Sequence, residues 1–216
     1  MASVEIVADP IEACGRALAE ALIAADKKRG HARLAIPGGS ALAALGPARI
    51  AMGPEVWSRL DLTWGDERCV PFDSAESARG AAYRAGLLDS AFPVRFELPL
   101  YEGGEQPGDA VARVVKAFGE SFEGAIDVAL VGLGPDGHVA SLFPGHAALV
   151  RSEPVLYISD SPKPPPERIT MSLQIFVAAQ VFGVARGSDK KTAVDDVARG
   201  AGLLHHLRLF TDGSTR

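Results

Sequence analysis

The stretch Ile126-Asp127-Val128-Ala129-Leu130-Val131, followed by Gly132-Leu133-Gly134-Pro135-Asp136-Gly137-His138, constrains the fold more than any other part of the chain. Its first half is a nearly continuous apolar run, which reads as a strand buried on both faces, as in a parallel sheet. Its second half turns at once to three glycines, a proline, an aspartate and a histidine. Glycine permits positive φ and close approach to the backbone, and proline ends strand pairing. In an open α/β sheet, ligands bind beyond the carboxyl ends of the strands, which is where this loop would lie. A histidine there is placed for proton transfer. The loop is the expected active site.

Residues 132–137 formally match G-x-G-x-x-G, the dinucleotide fingerprint. That fingerprint needs a full helix directly after it, whose N-terminus holds the pyrophosphate. Here Phe143-Pro144-Gly145 would stop a helix within about two turns. The motif also follows several strands instead of opening the domain. No nicotinamide or flavin cofactor is expected.

Strands and helices alternate on either side of this loop. Strand patterns cover residues 4–7, 32–36, 60–64, 96–100, 126–131, 155–158, 181–185 and 207–210, with a short strand or turn at 169–173. Helical patterns cover 11–28, the segment from Ala41 onward, 75–88, 109–121, 174–180 and the stretch leading to Arg199. The first helix is opened by Asp9-Pro10 and closed by Lys27-Lys28-Arg29-Gly30. There is no internal repeat and no linker. This order predicts an α/β fold: a single doubly wound domain over residues 1–216, with a mostly parallel sheet flanked by helices.

Three further segments carry chemistry-bearing residues at strand ends. Pro37-Gly38-Gly39-Ser40 joins a strand to a helix, which is either a phosphate cradle of bare N–H groups or an ordinary turn with Ser40 as N-cap. Asp66-Glu67-Arg68 follows the third strand and is read as a loop. Three charges after a buried strand are costly unless paired or functional. Arg68 suits a bidentate hold on phosphate, with Asp66 and Glu67 orienting it or contacting sugar hydroxyls. Cys69 beside it raises the alternative of an activated thiol. Residues 159–168 are proline-rich and stiff, a segment expected to hold Lys163 and Arg168 near the site.

A formal charge of −5 argues against nucleic acid as the main partner, since the phosphate backbone needs a basic face. No apolar run approaches the ~18–20 residues of a membrane span. The first residues lack a basic and apolar leader, and two cysteines, Cys14 and Cys69, make no disulfide framework, so the cytoplasm is the expected location. The histidines show no metal-ligand spacing, and no metal is expected. Ser141 is a weaker candidate nucleophile, because no G-x-S-x-G elbow occurs.

With these residues in view, the chain resembles the 6-phosphogluconolactonase family, sugar-lactone hydrolases of the pentose phosphate pathway. Pro37-Gly38-Gly39-Ser40-Ala41 is similar to the family's S-G-G-S-T loop, and Asp66-Glu67-Arg68 with Val70-Pro71 to its D-E-R-x-V-P. The block from Gly132 through His138 to Pro144-Gly145 is close to its most diagnostic motif. Ser161-Pro162-Lys163-Pro164-Pro165-Pro166-Glu167-Arg168-Ile169-Thr170 fits its late proline-rich block, and Gly187 with Lys190 its G-x-x-K. The chain departs from the pattern at Pro37, Ala41 and Ala78, which removes two hydroxyls and an amide.

The resemblance implies a fold shared with glucosamine-6-phosphate deaminase and ribose-5-phosphate isomerase. The deaminases place a glutamate shortly after a similar D-G-H, whereas no acidic residue follows His138 here until Glu153, which favours the lactonase. It further implies that His138 activates water, with Asp136 fixing its tautomer or contacting the sugar. Gly38, Gly39, Ser40, Asp66, Glu67, Arg68, Gly137, Arg168 and Lys190 would bind substrate. The partner would be a small sugar-phosphate lactone, with no cofactor, no membrane and a monomer or weak homo-oligomer.

Overall fold

A computed structural model describes residues 1–215. The chain opens with β1 (Ser3–Ile6) and α1 (Pro10–Arg29), then β2 (Ala32–Ile36), a 3₁₀ turn (Ser40–Ala44) and α2 (Leu45–Trp57). β3 (Leu60–Trp64), β4 (Asp66–Arg68), α3 (Ala78–Arg84), β5 (Phe96–Leu98), α4 (Pro107–Ser121) and β6 (Val128–Gly132) follow. The last third holds β7 (Val155–Ile158), β8 (Arg168–Met171), α5 (Leu173–Ala178), β9 (Gln180–Ala185), α6 (Lys191–Ala198) and β10 (Arg208–Thr211). No helix among the described residues is long and apolar enough to cross a membrane.

Seven strands form one parallel sheet in the order β1-β10-β9-β6-β2-β3-β5, flanked by helices as expected. Every residue of β2 and β3 is buried, as in a sheet covered on both faces, and the polar residues they carry, Arg33, Asp61 and Thr63, are bonded inside the protein. From β2 the chain proceeds through β3 and β5 toward one edge. From β6 it proceeds through β9 and β10 toward the other. The switch point therefore lies between β2 and β6, and the loops leaving both strands open into that crevice.

A second, antiparallel sheet of order β4-β8-β7 was not foreseen. Residues 66–68, read as a loop, are its strand β4. The predicted 75–88 helix shortens to α3. Ser77 caps it by accepting from Gly80 N, and the backbone leaves the helix at Gly86, φ 64°. The helix expected from Ala41 begins as the 3₁₀ turn, and α2 is interrupted at Gly53-Pro54, where Gly53 takes φ 72° and ψ 165°. The helix α1 keeps its expected bounds to within a residue, with Asp9 Oδ1 accepting from Ile11 and Glu12 N–H and Gly30 at φ 82°.

The strands at the switch point are pinned at the end opposite the loops. Asp127 accepts from Arg33 N (2.9 Å), Nε (3.2 Å) and Nη2 (2.9 Å), and from Arg29 Nη2 (2.7 Å). Arg33 itself is 6% exposed. Burial works to raise the Asp127 carboxyl, and the Arg33 hydrogen bonds with the Arg29 charge outweigh it, leaving the group below its ordinary value. Replacing Asp127 with alanine leaves the buried Arg33 guanidinium with only Phe122 O (2.6 Å) and the exposed Glu123 carboxylate (3.1 Å), so denaturant unfolding is expected to show a loss of about 2–4 kcal/mol, short of the roughly 3–5 kcal/mol of a wholly unpaired buried charge. The wild-type contribution is complete above the unfolded-state value near 3.8 and fades as pH falls through the lower folded value. An Asp127→Ala variant as stable as wild type at pH 7 would refute this role.

Candidate active site

The crevice at the switch point is a cleft of about 250 Å³. Its walls come from the C-terminal ends of four neighbouring strands: residues after β2, β3, β6 and β9. From the small sheet, β8 adds Arg168.

The loop after β6 is a closed turn. Gly137 N–H donates to Gly134 O (3.0 Å) and Gly134 N–H to His138 O (2.9 Å), with Gly137 at φ 81°. The turn folds the His138 ring back over Gly134, where a Cβ would stand 2.0 Å from Nδ1, so only glycine fits. Phe143 stacks against the imidazole, 4.7 Å between ring centroids. His138 Nδ1 lies 2.5 Å from Asp136 Oδ1. An ionised carboxylate can only accept, so Nδ1 carries the proton and Nε2 the lone pair. Lys163 Nζ reaches the same Asp136 oxygen at 3.1 Å and sits 3.2 Å from Nδ1.

Burial and hydrogen bonding set the protonation states of this pair. Burial is the largest influence on His138 and holds its imidazolium down against the hydrogen bond to Asp136, leaving the group below 6.5. For Asp136, burial works upward, yet the hydrogen bonds from His138 and Lys163 draw the carboxyl down to about 2. At neutral pH the arrangement is a carboxylate holding a neutral imidazole whose Nε2 is free to take a proton.

The small sheet sorts the charges of residues 66–68. Alternation along β4 sends Asp66 and Arg68 to one face and Glu67 to the other. Asp66 and Arg68 line the cleft. Glu67 accepts from Ala78 N (2.7 Å), Arg79 N (2.7 Å), Arg68 N (2.8 Å) and Ser77 Oγ (3.1 Å). It anchors the start of α3 and does not line the cleft, which corrects its expected role as a substrate contact. Arg68 gives Nη1 to Glu76 O and keeps its remaining donors. Arg168, directly across the ladder from Arg68, is 4% exposed and bonded to protein carbonyls.

Gly38, Gly39, Ser40, Asp66, Arg68, His138, Arg168 and Lys190 thus converge on one cleft. Gly39 adopts φ 71°, and a Cβ on Gly38 would meet the Ala78 Cβ at 3.0 Å. Lys190 closes the 3₁₀ turn Ser188–Lys190 after β9; burial lowers its pKa, and no salt bridge engages it among the described residues. Asp136 and Gly137 support the histidine from behind instead of lining the cleft. Lys163 and Phe143 complete the histidine's surroundings; only the first was expected near it, and nothing in the sequence marks Phe143 for stacking.

Two alternatives lose their footing. Ser141 is fully buried and donates Oγ to Asp66 Oδ2 at 2.6 Å, away from any incoming ligand. Burial and the charges of Glu167, Glu67 and Glu105 push the Cys69 thiol up to about 12, the reverse of an activated nucleophile. No α-helix follows the glycine loop directly, so the G-x-G-x-x-G match has no pyrophosphate-holding helix behind it. No group of three His, Cys, Asp or Glu side chains among the described residues is arranged to hold a metal ion.

Comparison with known proteins bears on the same residues. A family model described as glucosamine-6-phosphate isomerases/6-phosphogluconolactonase matches residues 7–206. The 6-phosphogluconolactonase of Rattus norvegicus is 41% identical over 173 residues, covering 75% of this chain and 66% of the rat protein. That of Streptomyces coelicolor is 38% identical over 211 residues, 88% of this chain and 79% of the relative. The crystal structure of a 6-phosphogluconolactonase from Shewanella baltica superposes with a TM-score of 0.80 over 98% of this chain and 97% of its own, at 21% identity, a likeness of fold. Sequence, strand order and the composition of the cleft agree, and the chain belongs to the glucosamine-6-phosphate isomerase/6-phosphogluconolactonase family.

Proposed function

We propose that the protein hydrolyses 6-phospho-D-glucono-1,5-lactone to 6-phospho-D-gluconate, the lactonase step of the oxidative pentose phosphate pathway. The observation that carries this reading is the Asp136–His138 pair, its Nε2 free at the edge of a cleft bearing several cations. His138 Nε2 takes a proton from water as the oxygen attacks the lactone carbonyl carbon. The carbonyl electrons move to an oxyanion, held by N–H groups of the glycine loops. When the tetrahedral intermediate collapses, the ring C–O bond breaks and the imidazolium returns its proton to the leaving oxygen. Asp136 stabilises the imidazolium between those two steps.

The phosphate is assigned to Arg68 and Lys190, with the N–H groups of residues 38–40. Both cations face the cleft, and Lys190 has no carboxylate partner among the described residues to give up. The substrate partner in this reading is a small sugar-phosphate lactone and not nucleic acid. The chain would act as a monomer or weak homo-oligomer, as one domain, in the cytoplasm, where its two unpaired cysteines remain reduced.

The reading is tested with freshly generated lactone, subtracting its spontaneous hydrolysis. His138→Ala is expected to lower kcat by roughly 10²–10⁴-fold, the usual worth of a positioned general base, while 6-phosphogluconate still binds. Absence of wild-type turnover, or ammonia release from an amino-sugar phosphate, would overturn it. A second expectation concerns pH. Since only neutral His138 is a base, kcat/KM should fall as pH drops through the free-enzyme value of His138, with a midpoint below 6.5. A midpoint above 7 would contradict the burial argument. A third concerns phosphate. Arg68→Ala and Lys190→Ala should each raise KM for the phosphorylated lactone far more than for unphosphorylated gluconolactone, and equal effects on both substrates would remove the assignment.

A further inference from the structure

Four of the five N–H groups of Arg168 donate to the protein. Nε donates to Pro165 O at 3.0 Å, and Nη2 to Lys163 O at 3.0 Å and Pro164 O at 3.1 Å. Nη1 reaches Ser141 Oγ at 3.4 Å and lies 3.7 Å from Asp66 Oδ2. Ser141 Oγ in turn donates to that same Asp66 oxygen. A guanidinium has five donors in a fixed planar fork, and three of these bonds end on consecutive carbonyls of one segment. The side chain is 4% exposed, so water does not compete for it.

The three segments so joined are the ones that build the base. Residues 163–165 carry Lys163, whose ammonium touches Asp136 and lies beside His138. Ser141 belongs to the continuation of the histidine loop, and Asp66 to the strand β4 that lines the cleft. Lys163 is itself a long, part-exposed side chain, and such an ion pair at a surface is weak unless its backbone is fixed. The fixing group is Arg168.

We infer that Arg168 is a positioning residue, not a phosphate ligand: it clamps the carbonyls of Lys163, Pro164 and Pro165 so that the Lys163 ammonium is held against the Asp136–His138 pair. This deepens the lactonase reading and rests on His138 as its base. The charged groups facing His138 are Asp136 from its own loop, Lys163 from the proline-rich segment and Asp66 from β4. Of these only Lys163 disfavours the imidazolium, so releasing it raises the proton affinity of His138. A lysine at position 168 keeps the charge but, lacking the planar fork, cannot span three carbonyls.

The test is a titration cycle read by NMR on the His138 ring protons in wild type, R168K, K163M and the double variant. R168K and K163M are each expected to shift the His138 titration to higher pH, with the double variant shifted no further than K163M alone. In parallel, R168K should lower kcat/KM for phosphorylated and unphosphorylated lactones by the same factor. Should R168K not fold, R168Q replaces it, and its cycle with K163M subtracts any direct effect of the lost charge. A His138 titration unchanged in R168K, shifts that add in the double variant, or a loss confined to the phosphorylated lactone would each overturn the clamp. The titration needs no turnover, so it decides the point even where lactone hydrolysis is absent from the wild type.

Discussion

The hydrogen bond from His138 Nδ1 to Asp136 Oδ1 is the contact that the rest of the site serves. In an extended strand, residues two apart are separated by roughly 6.6 Å, too far for such a bond to be imposed by the backbone alone. The turn supplies the missing approach: Gly137 takes a left-handed φ, two main-chain bonds close the loop, and Gly134 leaves empty the volume that the ring fills. A side chain at Gly137 would strain the backbone, and one at Gly134 would cost more than strain. It would move the one group whose lone pair must face the cleft.

Those requirements explain why the loop follows a strand at the switch point. A turn this tight needs a rigid base, and β6 is paired on both sides, with β9 and β2. The Arg33–Asp127 network fixes β2 against β6 at the far end, so the two loops that face each other across the crevice inherit their separation from a buried ion pair. Stability and site geometry are joined there. A slip of one residue between parallel neighbours would redirect every side chain in the loops they carry.

The large sheet was legible in the sequence because its strands are buried on both faces. A nearly continuous apolar run such as residues 126–131, bounded by turn residues, fits a covered central strand better than a helix or an edge strand. The helix α1 was legible through its caps. The small sheet was not, because β4 is three charged residues with no apolar pattern, and its pairing with β8 joins segments about a hundred residues apart. Reading 66–68 as a loop carried Glu67 into the site, whereas strand alternation turns it away to cap α3. The same local sequence also hid part of why α3 starts late: beside the Ser77 cap, the Glu67 carboxylate accepts from Ala78 and Arg79 N–H. The placement of His138 at the cleft, with Asp136 behind it, was readable because a glycine loop leaving a buried strand opens at the end of the sheet where ligands bind. Phe143 was not, since an aromatic in that position reads equally well as core.

In the lactonase reading, charge distribution would give the cleft its selectivity. The chain as a whole is acidic, yet Arg68, Arg168, Lys163 and Lys190 gather around two carboxylates, Asp66 and Asp136. Arg168 and Lys163 are committed to protein partners, which balances those two carboxylates and leaves Arg68 and Lys190 to face a ligand. Burial already disfavours the Lys190 ammonium. A phosphate dianion beside it would offset that desolvation, so ligand charge and lysine protonation reinforce one another. Arg68 holds only a long contact to the exposed Glu76 carboxylate, at 3.8 Å, and no salt bridge engages Lys190 among the described residues, so in the proposed phosphate site the substrate supplies the anion that Lys190 lacks.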